Sequence, residues 1–235
     1  SIPFDKESFW FSNFFNWRLA SISSNWTGSG TASLTWSIKL KRAVRLLSKR
    51  SLANFSGDNS LLSSRLLKIA DLVTKGKKIA DIGTDHGYIP VYLLNKGHVD
   101  FAILADVNKG PLENARSEVR HNNLTDKVDL RLGSGIEVLN ENEVDEVIIA
   151  GMGGILISEL LEAKKSVAHN LDKLILQPMQ AQDELRKYLL NNGYEILDEV
   201  LVKEDFRIYE IIVAKYTSKN TVVDDEIYYE VGKKL

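Results

Sequence analysis

Two aspartates and a histidine crowd a glycine turn at Asp81-Ile82-Gly83-Thr84-Asp85-His86-Gly87, directly after an apolar run. Gly83 and Gly87 let the backbone pass close to a ligand. The dinucleotide fingerprint G-x-G-x-x-G would hold a pyrophosphate on amides at a helix N-terminus. Here Asp85 takes the place of the middle glycine, and Asp81 flanks the turn. Carboxylates repel phosphate and attract cations and hydroxyls. The turn therefore suits a ligand carrying an amine and a sulfonium better than one carrying phosphates.

Four further stretches could meet such a ligand. Asp106, 25 residues after Asp81 and followed by Val107 and Asn108, could accept both hydroxyls of a ribose. The order of loop and acid favours that role over capping of the next helix, which Asn108 could also do. Gly133-Ser134-Gly135 offers a hydroxyl and backbone N–H groups to an adenine edge, or is a plain turn. Ala150-Gly151-Met152-Gly153-Gly154 makes a low, apolar floor for a flat base, or lets a helix pack closely on a sheet. Gln177 and Pro178 end a later apolar run, where the amide could reach a base or merely pack.

The elements that carry these residues read as an alternation. "LLSSRLLKIADLV" has a helical apolar stripe at 62, 66, 69, 70 and 73. "KKIADIG", "FAILADVN", "KVDLRLG", "VDEVIIAG" and "KLILQP" are short buried strands. "IPVYLLNKG", "GPLENARSEVRHNNL", "ILISELLEAKKSVA" and "QDELRKYLLNNGY" are helices between or after them. "EILDEVLVKEDFRIYEIIVAKY" alternates and turns around Glu204 and Asp205, a hairpin signal. Five alternations call for a parallel sheet covered on both faces, here closed by an antiparallel hairpin. Every candidate residue then falls at one edge of that sheet, beyond the carboxyl ends of the strands.

The 235 residues contain no cysteine, which excludes disulfides, thiolate nucleophiles and cysteine-based zinc sites. No run approaches the length needed to cross a bilayer, and no signal peptide is evident; a cytoplasmic protein is expected, with no metal. Residues 1–60 differ from the rest. They hold all four tryptophans and 13 of the 20 serines, then a basic run including Lys39, Lys41, Arg42 and Arg45. They read as an irregular extension, or as an arm for RNA or a membrane surface. Residues 61–217 carry 19 Lys and Arg against 25 Asp and Glu, so nucleic-acid binding would need its cations clustered. Arg65, Lys68, Arg186, Lys187 and Arg207 are the candidates for phosphate contacts.

In order, "LLSSRLLKIADLV", "ADIGTDHGYIPVYLL", "ADVNKGPLENA", "VIIAGMGG", "LILQPM", "LRKYLLNNGY" and "LVKEDFRIYEIIVAK" resemble the bacterial tRNA (adenine-22-N1)-methyltransferases. The resemblance implies a Rossmann-like α/β fold over 61–217 whose last strand is antiparallel, S-adenosyl-L-methionine as cofactor and tRNA as partner, in a monomeric enzyme. By the same implication Asp81, Gly83, Thr84 and Gly87 hold the methionine part, and Asp106 with Val107 and Asn108 the ribose. Gly133 to Gly135 lie at the adenine, and Ala150 to Gly154 with Gln177 and Pro178 at the target base. Asp85 would stabilise charge on the methylated base or orient its amino group, with His86 as a second candidate and Tyr88 as a stacking face or hydroxyl. An Asp-His-Gly turn can also simply hydrogen-bond itself. The chain departs from the family pattern at Ser134, where an acid is usual, and at Phe206, where glycine is common. Residues 218–235 read as the start of a truncated C-terminal extension. The other readings are a non-catalytic nucleoside- or RNA-binding module and, from another class, an NAD-type oxidoreductase.

Overall fold

The computed structural model describes residues 62–235, apart from 222, 224 and 233. The tryptophans and basic run near the N-terminus lie outside the described residues. Helix α1 (Ser64–Asp71) starts where the Ser63 hydroxyl accepts from the Leu66 N–H. Its stripe is confirmed at Ile69, Ala70 and Val73, all buried.

The strands β1 (Ile79–Ile82), β2 (Ala102–Asp106), β3 (Val128–Leu132), β4 (Glu146–Gly153) and β5 (Lys173–Gln180) are parallel. With β6 (Tyr194–Glu204) and β7 (Arg207–Tyr216) they form one seven-stranded sheet in the order β3-β2-β1-β4-β5-β7-β6. β7 is antiparallel to both β5 and β6. The expected Rossmann-like α/β sheet with a C-terminal hairpin is therefore present. Strand order reverses between β1 and β4, the point at which open α/β sheets bind ligands.

Both faces of the sheet are covered, so its central strands are apolar without alternation. On one face α1, α2 (Tyr88–Asn95) and α3 (Lys109–His121) pack over Ile79, Leu104, Ile148 and Ile175. On the other, α4 (Gly154–Ala163), α5 (Lys165–Ala168) and α6 (Gln182–Asn191) pack over Ile82, Ile103, Ile149 and Leu176. A last short helix, α7, spans Ile227–Val231.

Three local readings change. "ILISELLEAKKSVA" is not one helix: Lys164 leaves helical geometry, and its ammonium donates to the carbonyls of Glu137 and Leu139. That tertiary pull outweighs local helix propensity. The hairpin turn is Asp205-Phe206, because Glu204 pairs with Arg207 across it; Asp205 takes the positive φ of 52°. Arg186 is not a surface cation but is buried between Glu199 and Glu210.

Candidate active site

The loop after β1 is held down by the end of β2. The Gly83 and Thr84 N–H groups both donate to the Ala105 carbonyl, at 2.8 and 3.1 Å. Asp81 is buried, and its Oδ2 accepts from the Thr84 hydroxyl at 2.8 Å. Burial pushes the Asp81 carboxyl up to about 6; the Thr84 bond works against this and the Asp106 carboxylate adds to it. A carboxylate kept in this setting gains much from a cation brought alongside.

Exposed Asp85 and half-buried His86 and Tyr88 form a group at the mouth of the same loop. Asp85 has φ of 47°, and its Oδ2 lies 2.9 Å from His86 Nδ1. The imidazole stacks on the Tyr88 ring, centroids 5.1 Å apart. The turn does bond to itself, and the result is a carboxylate–imidazole–phenol stack beside the ligand edge. Gly87 closes the turn by donating to the Thr84 carbonyl and starts α2.

At the end of β2, Asp106 Oδ1 accepts from the Asn108 N–H at 2.7 Å. Oδ2 has no partner among the described residues. Asn108 sits at the N-cap position of α3, yet its side chain makes no capping bond. The Gly133 N–H donates to the Asp106 carbonyl, which draws the third loop against the second. Val107 is 65% exposed and Leu132 49%, two apolar surfaces flanking Asp106. Ser134 precedes a tight turn at Gly135–Val138, and its hydroxyl does not cap it.

Across the switch point, β4 loses register with β5 between Ala150 and Met152. Gly151, in the left-handed region at φ 84°, has open space where a side chain would stand. Met152 folds back so that its terminal methyl occupies the place of a Cβ on Gly83. The two loops thus touch, and Gly83 could not be any larger residue without displacing Met152. Gly154 is the close-packing residue: a Cβ there would overlap the Ala181 carbonyl at the start of α6. The close-packing reading of "AGMGG" holds at Gly154, while Gly151 leaves open space at the other end. Gly154→Ala is expected to overpack this contact and destabilise the fold by about 1–3 kcal/mol, measured as a lowered midpoint in urea denaturation. A midpoint equal to the parent's would mean the α4–α6 contact is slack.

Gln177 is fully buried, and both ends of its amide are engaged. Oε1 accepts from Arg65 Nη1 at 2.8 Å and from the Gly151 N–H at 3.2 Å; Nε2 donates to the Pro178 carbonyl at 2.9 Å. The amide therefore braces the Gly151 backbone rather than standing open toward a base. Arg65, read from sequence as a phosphate contact, is its partner and lies over the Tyr209 ring. Arg65 and Gln177 are 112 residues apart, and no local pattern links them. Pro178 continues β5 past this brace, with Met179 partly exposed beyond it. Lys187 pairs with Glu184.

These residues fit S-adenosyl-L-methionine. Two carboxylates suit its ammonium and ribose hydroxyls, and the exposed side chains of Val107 and Leu132 supply apolar surface beside Asp106 for its adenine. Among the described residues no group of three or more carboxylates and imidazoles could hold a metal ion. None of their helices is long and apolar enough to cross a membrane.

Comparison with known proteins agrees. Residues 62–212 match the family model described as a methyltransferase domain. The tRNA (adenine(22)-N(1))-methyltransferase of Bacillus subtilis is 36% identical over 163 residues, spanning 69% of this chain and 68% of that protein. A Streptococcus pneumoniae protein solved with S-adenosyl-L-methionine is 33% identical, with a TM-score of 0.70 over 74% of this chain and 80% of its own. The M. capricolum TrmK complex with S-adenosyl-homocysteine is 31% identical, with a TM-score of 0.64 over 72% and 75%. The chain belongs to the bacterial tRNA (adenine-22-N1)-methyltransferase family, whose cofactor is S-adenosyl-L-methionine.

Proposed function

We propose that this protein methylates N1 of an adenine in tRNA, position 22 in the family's numbering, acting as a monomer in the cytoplasm, where its substrate lies. The observation that carries this reading is the contact of Met152 with Gly83. It brings the acid-bearing loops after β1 and β2 against the glycine turn after β4, with only the Met152 side chain between them.

When bound, the cofactor supplies a sulfonium methyl, to which adenine N1 donates its lone pair as the carbon–sulfur bond breaks. N1 is unprotonated near neutral pH, so no strong base is needed; the chain's work is orientation and charge. Asp81 and Thr84 hold the cationic end, and Asp106 the ribose. Val107, Ser134 and the glycines beside it border the adenine. Gly151 and Met152 let the target base lie close to backbone, and Arg65 keeps that backbone in place through Gln177. Positive charge passes to the base during transfer, and Asp85 is the exposed carboxylate at the loop mouth that can stabilise it. His86 and Tyr88 keep Asp85 aimed.

The test is incubation of the purified chain with S-adenosyl-L-methionine and unmodified bacterial tRNA, followed by nucleoside mass spectrometry. 1-Methyladenosine at one position is expected, and none sinks the reading. In the same assay Asp85→Ala is expected to lower kcat about 10²-fold, with cofactor affinity held within about twofold, a scale set by electrostatic groups aimed at developing charge. Unchanged turnover would remove Asp85 from the chemistry.

A further inference from the structure

Phe206 is the most exposed large apolar side chain among the described residues, at 83%. An aromatic ring left in water forgoes the stabilisation that burial would bring, so its place in the fold is informative. β7 runs antiparallel to β5 with Ile212 opposite Leu176. Phe206 lies six residues from Ile212, whereas β5 ends four residues past Leu176. The hairpin turn therefore overhangs the end of β5 by two residues, roughly 7 Å at strand rise. That is the sheet edge holding Gly151, Met152 and Gln177.

The overhang is braced. Arg65 donates its backbone N–H to Glu204 Oε2 at 2.8 Å, and its guanidinium covers the Tyr209 ring at 5.2 Å. The same Arg65 holds Gln177. One residue thus ties the hairpin to the base floor. At the tip, the Arg207 guanidinium lies 5.4 Å from the centroid of the Phe206 ring. Asp205 supplies the positive φ of the turn, and its carboxylate disfavours a phosphate at that spot. What the tip offers is a ring face.

We propose that Phe206 is a stacking platform for an unpaired nucleobase of the RNA substrate, flanking the base that enters the Gly151–Met152 floor. This rests on the reading of the protein as a tRNA methyltransferase. Single-stranded and splayed bases are recognised by stacking on aromatic side chains and arginine planes, which every base can use. Arg207, against the ring, adds attraction for the phosphate backbone.

The test uses the full chain and labelled unmodified bacterial tRNA in fluorescence anisotropy across salt concentrations, with methyl transfer measured in parallel. Phe206→Ala is expected to weaken tRNA binding about 10-fold while leaving the salt slope unchanged. Phe206→Trp keeps parent affinity. Arg207→Gln reduces the salt slope by close to one counterion. In the transfer assay Phe206→Ala raises KM for tRNA and leaves kcat at saturation. Binding by Phe206→Ala within about twofold of the parent overturns the proposal, as does failure of Phe206→Trp to restore it. So does a parent that ignores tRNA, or a concentration-dependent mass in light scattering that Phe206→Ala abolishes. Methyl transfer by the parent with no effect of Phe206 leaves the enzymatic reading standing without this platform; Phe206-dependent binding without transfer does the reverse.

Discussion

Replacing Asp81 by Asn is expected to stabilise the cofactor-free protein and to cripple its hold on S-adenosyl-L-methionine. The reason is one buried carboxyl held up to about 6 by desolvation, with Asp106 adding to the effect. A carboxyl whose folded pKa lies above its unfolded value near 4 binds more protons in the folded state between those two values. Its contribution to stability is then fully present below pH 4 and is lost as pH rises through 6. At pH 7.5 the parent carries the whole cost of an ionised Asp81, on the order of 3 kcal/mol at 1.36 kcal/mol per pKa unit. Asn, neutral and able to accept from Thr84, removes that cost.

Binding runs the other way. An ammonium or sulfonium beside Asp81 favours its ionised form, so cofactor affinity should fall about 10-fold for each pH unit below 6, with a proton released on binding near that pH. Calorimetry in two buffers of different ionisation enthalpy counts the proton. Asp81→Asn should bind at least about 10-fold more weakly at pH 7.5 and lose the pH dependence, while its denaturation midpoint rises. Parent affinity that stays level from pH 5 to pH 8 would show that Asp81 does not face the cation.

How far such a site is legible in sequence depends on the range of the interactions that build it. Glycines, acids and strand ends are local signals, so the turn at Gly83, Asp106 after β2, and the floor at Gly151 could be placed on one sheet edge from alternation alone. The hairpin was legible because alternating residues flank a turn, although the turn lies one residue later than the pattern suggested. The joining contacts were not legible. Met152 reaches Gly83 across the switch point, and Arg65 reaches Gln177 from a helix that precedes the whole sheet. Neither contact leaves a period or spacing to read. Asn108 looked like a cap, yet its side chain makes no capping bond; its backbone N–H goes to Asp106.

Arg186 shows a signal that was present and can be used. In α6 it stands beside Lys187, and the pair reads as a solvated face. Yet Glu199 and Glu210 interrupt apolar runs in two neighbouring strands, and two acids on the inner side of a sheet demand a cation. The structure supplies it: Arg186 Nε donates to Glu199 Oε1 and Nη2 to Glu210 Oε2, both at 2.6 Å, and Nη1 to the Tyr229 carbonyl at 3.0 Å. The guanidinium is 1% exposed. Burial works against its charge, but the carboxylates of Glu210 and Glu199 outweigh that and hold its pKa above the ordinary arginine value.

Arg186→Met is therefore expected to cost about 3–5 kcal/mol, because it takes the guanidinium away from two carboxylates in a largely buried site rather than because the ion pairs were strong. At about 2–4 °C per kcal/mol for a domain of this size, the thermal midpoint should fall by roughly 6–20 °C. Arg186→Lys should recover little, since a single ammonium cannot reach both carboxylates and the α7 carbonyl in the fixed fork a guanidinium offers. The distinguishing variant is the triple change Arg186→Met, Glu199→Gln and Glu210→Gln, which removes the two buried carboxylate charges and should regain much of the loss. Cofactor affinity should hold in all three, because β4 and β5 separate this network from the acids of β1 and β2. Scanning calorimetry with a parallel cofactor titration decides the matter. A single Arg186→Met variant within about 1 kcal/mol of the parent would mean that Glu199 and Glu210 are neutral in the folded protein, and that α7 is held by packing alone.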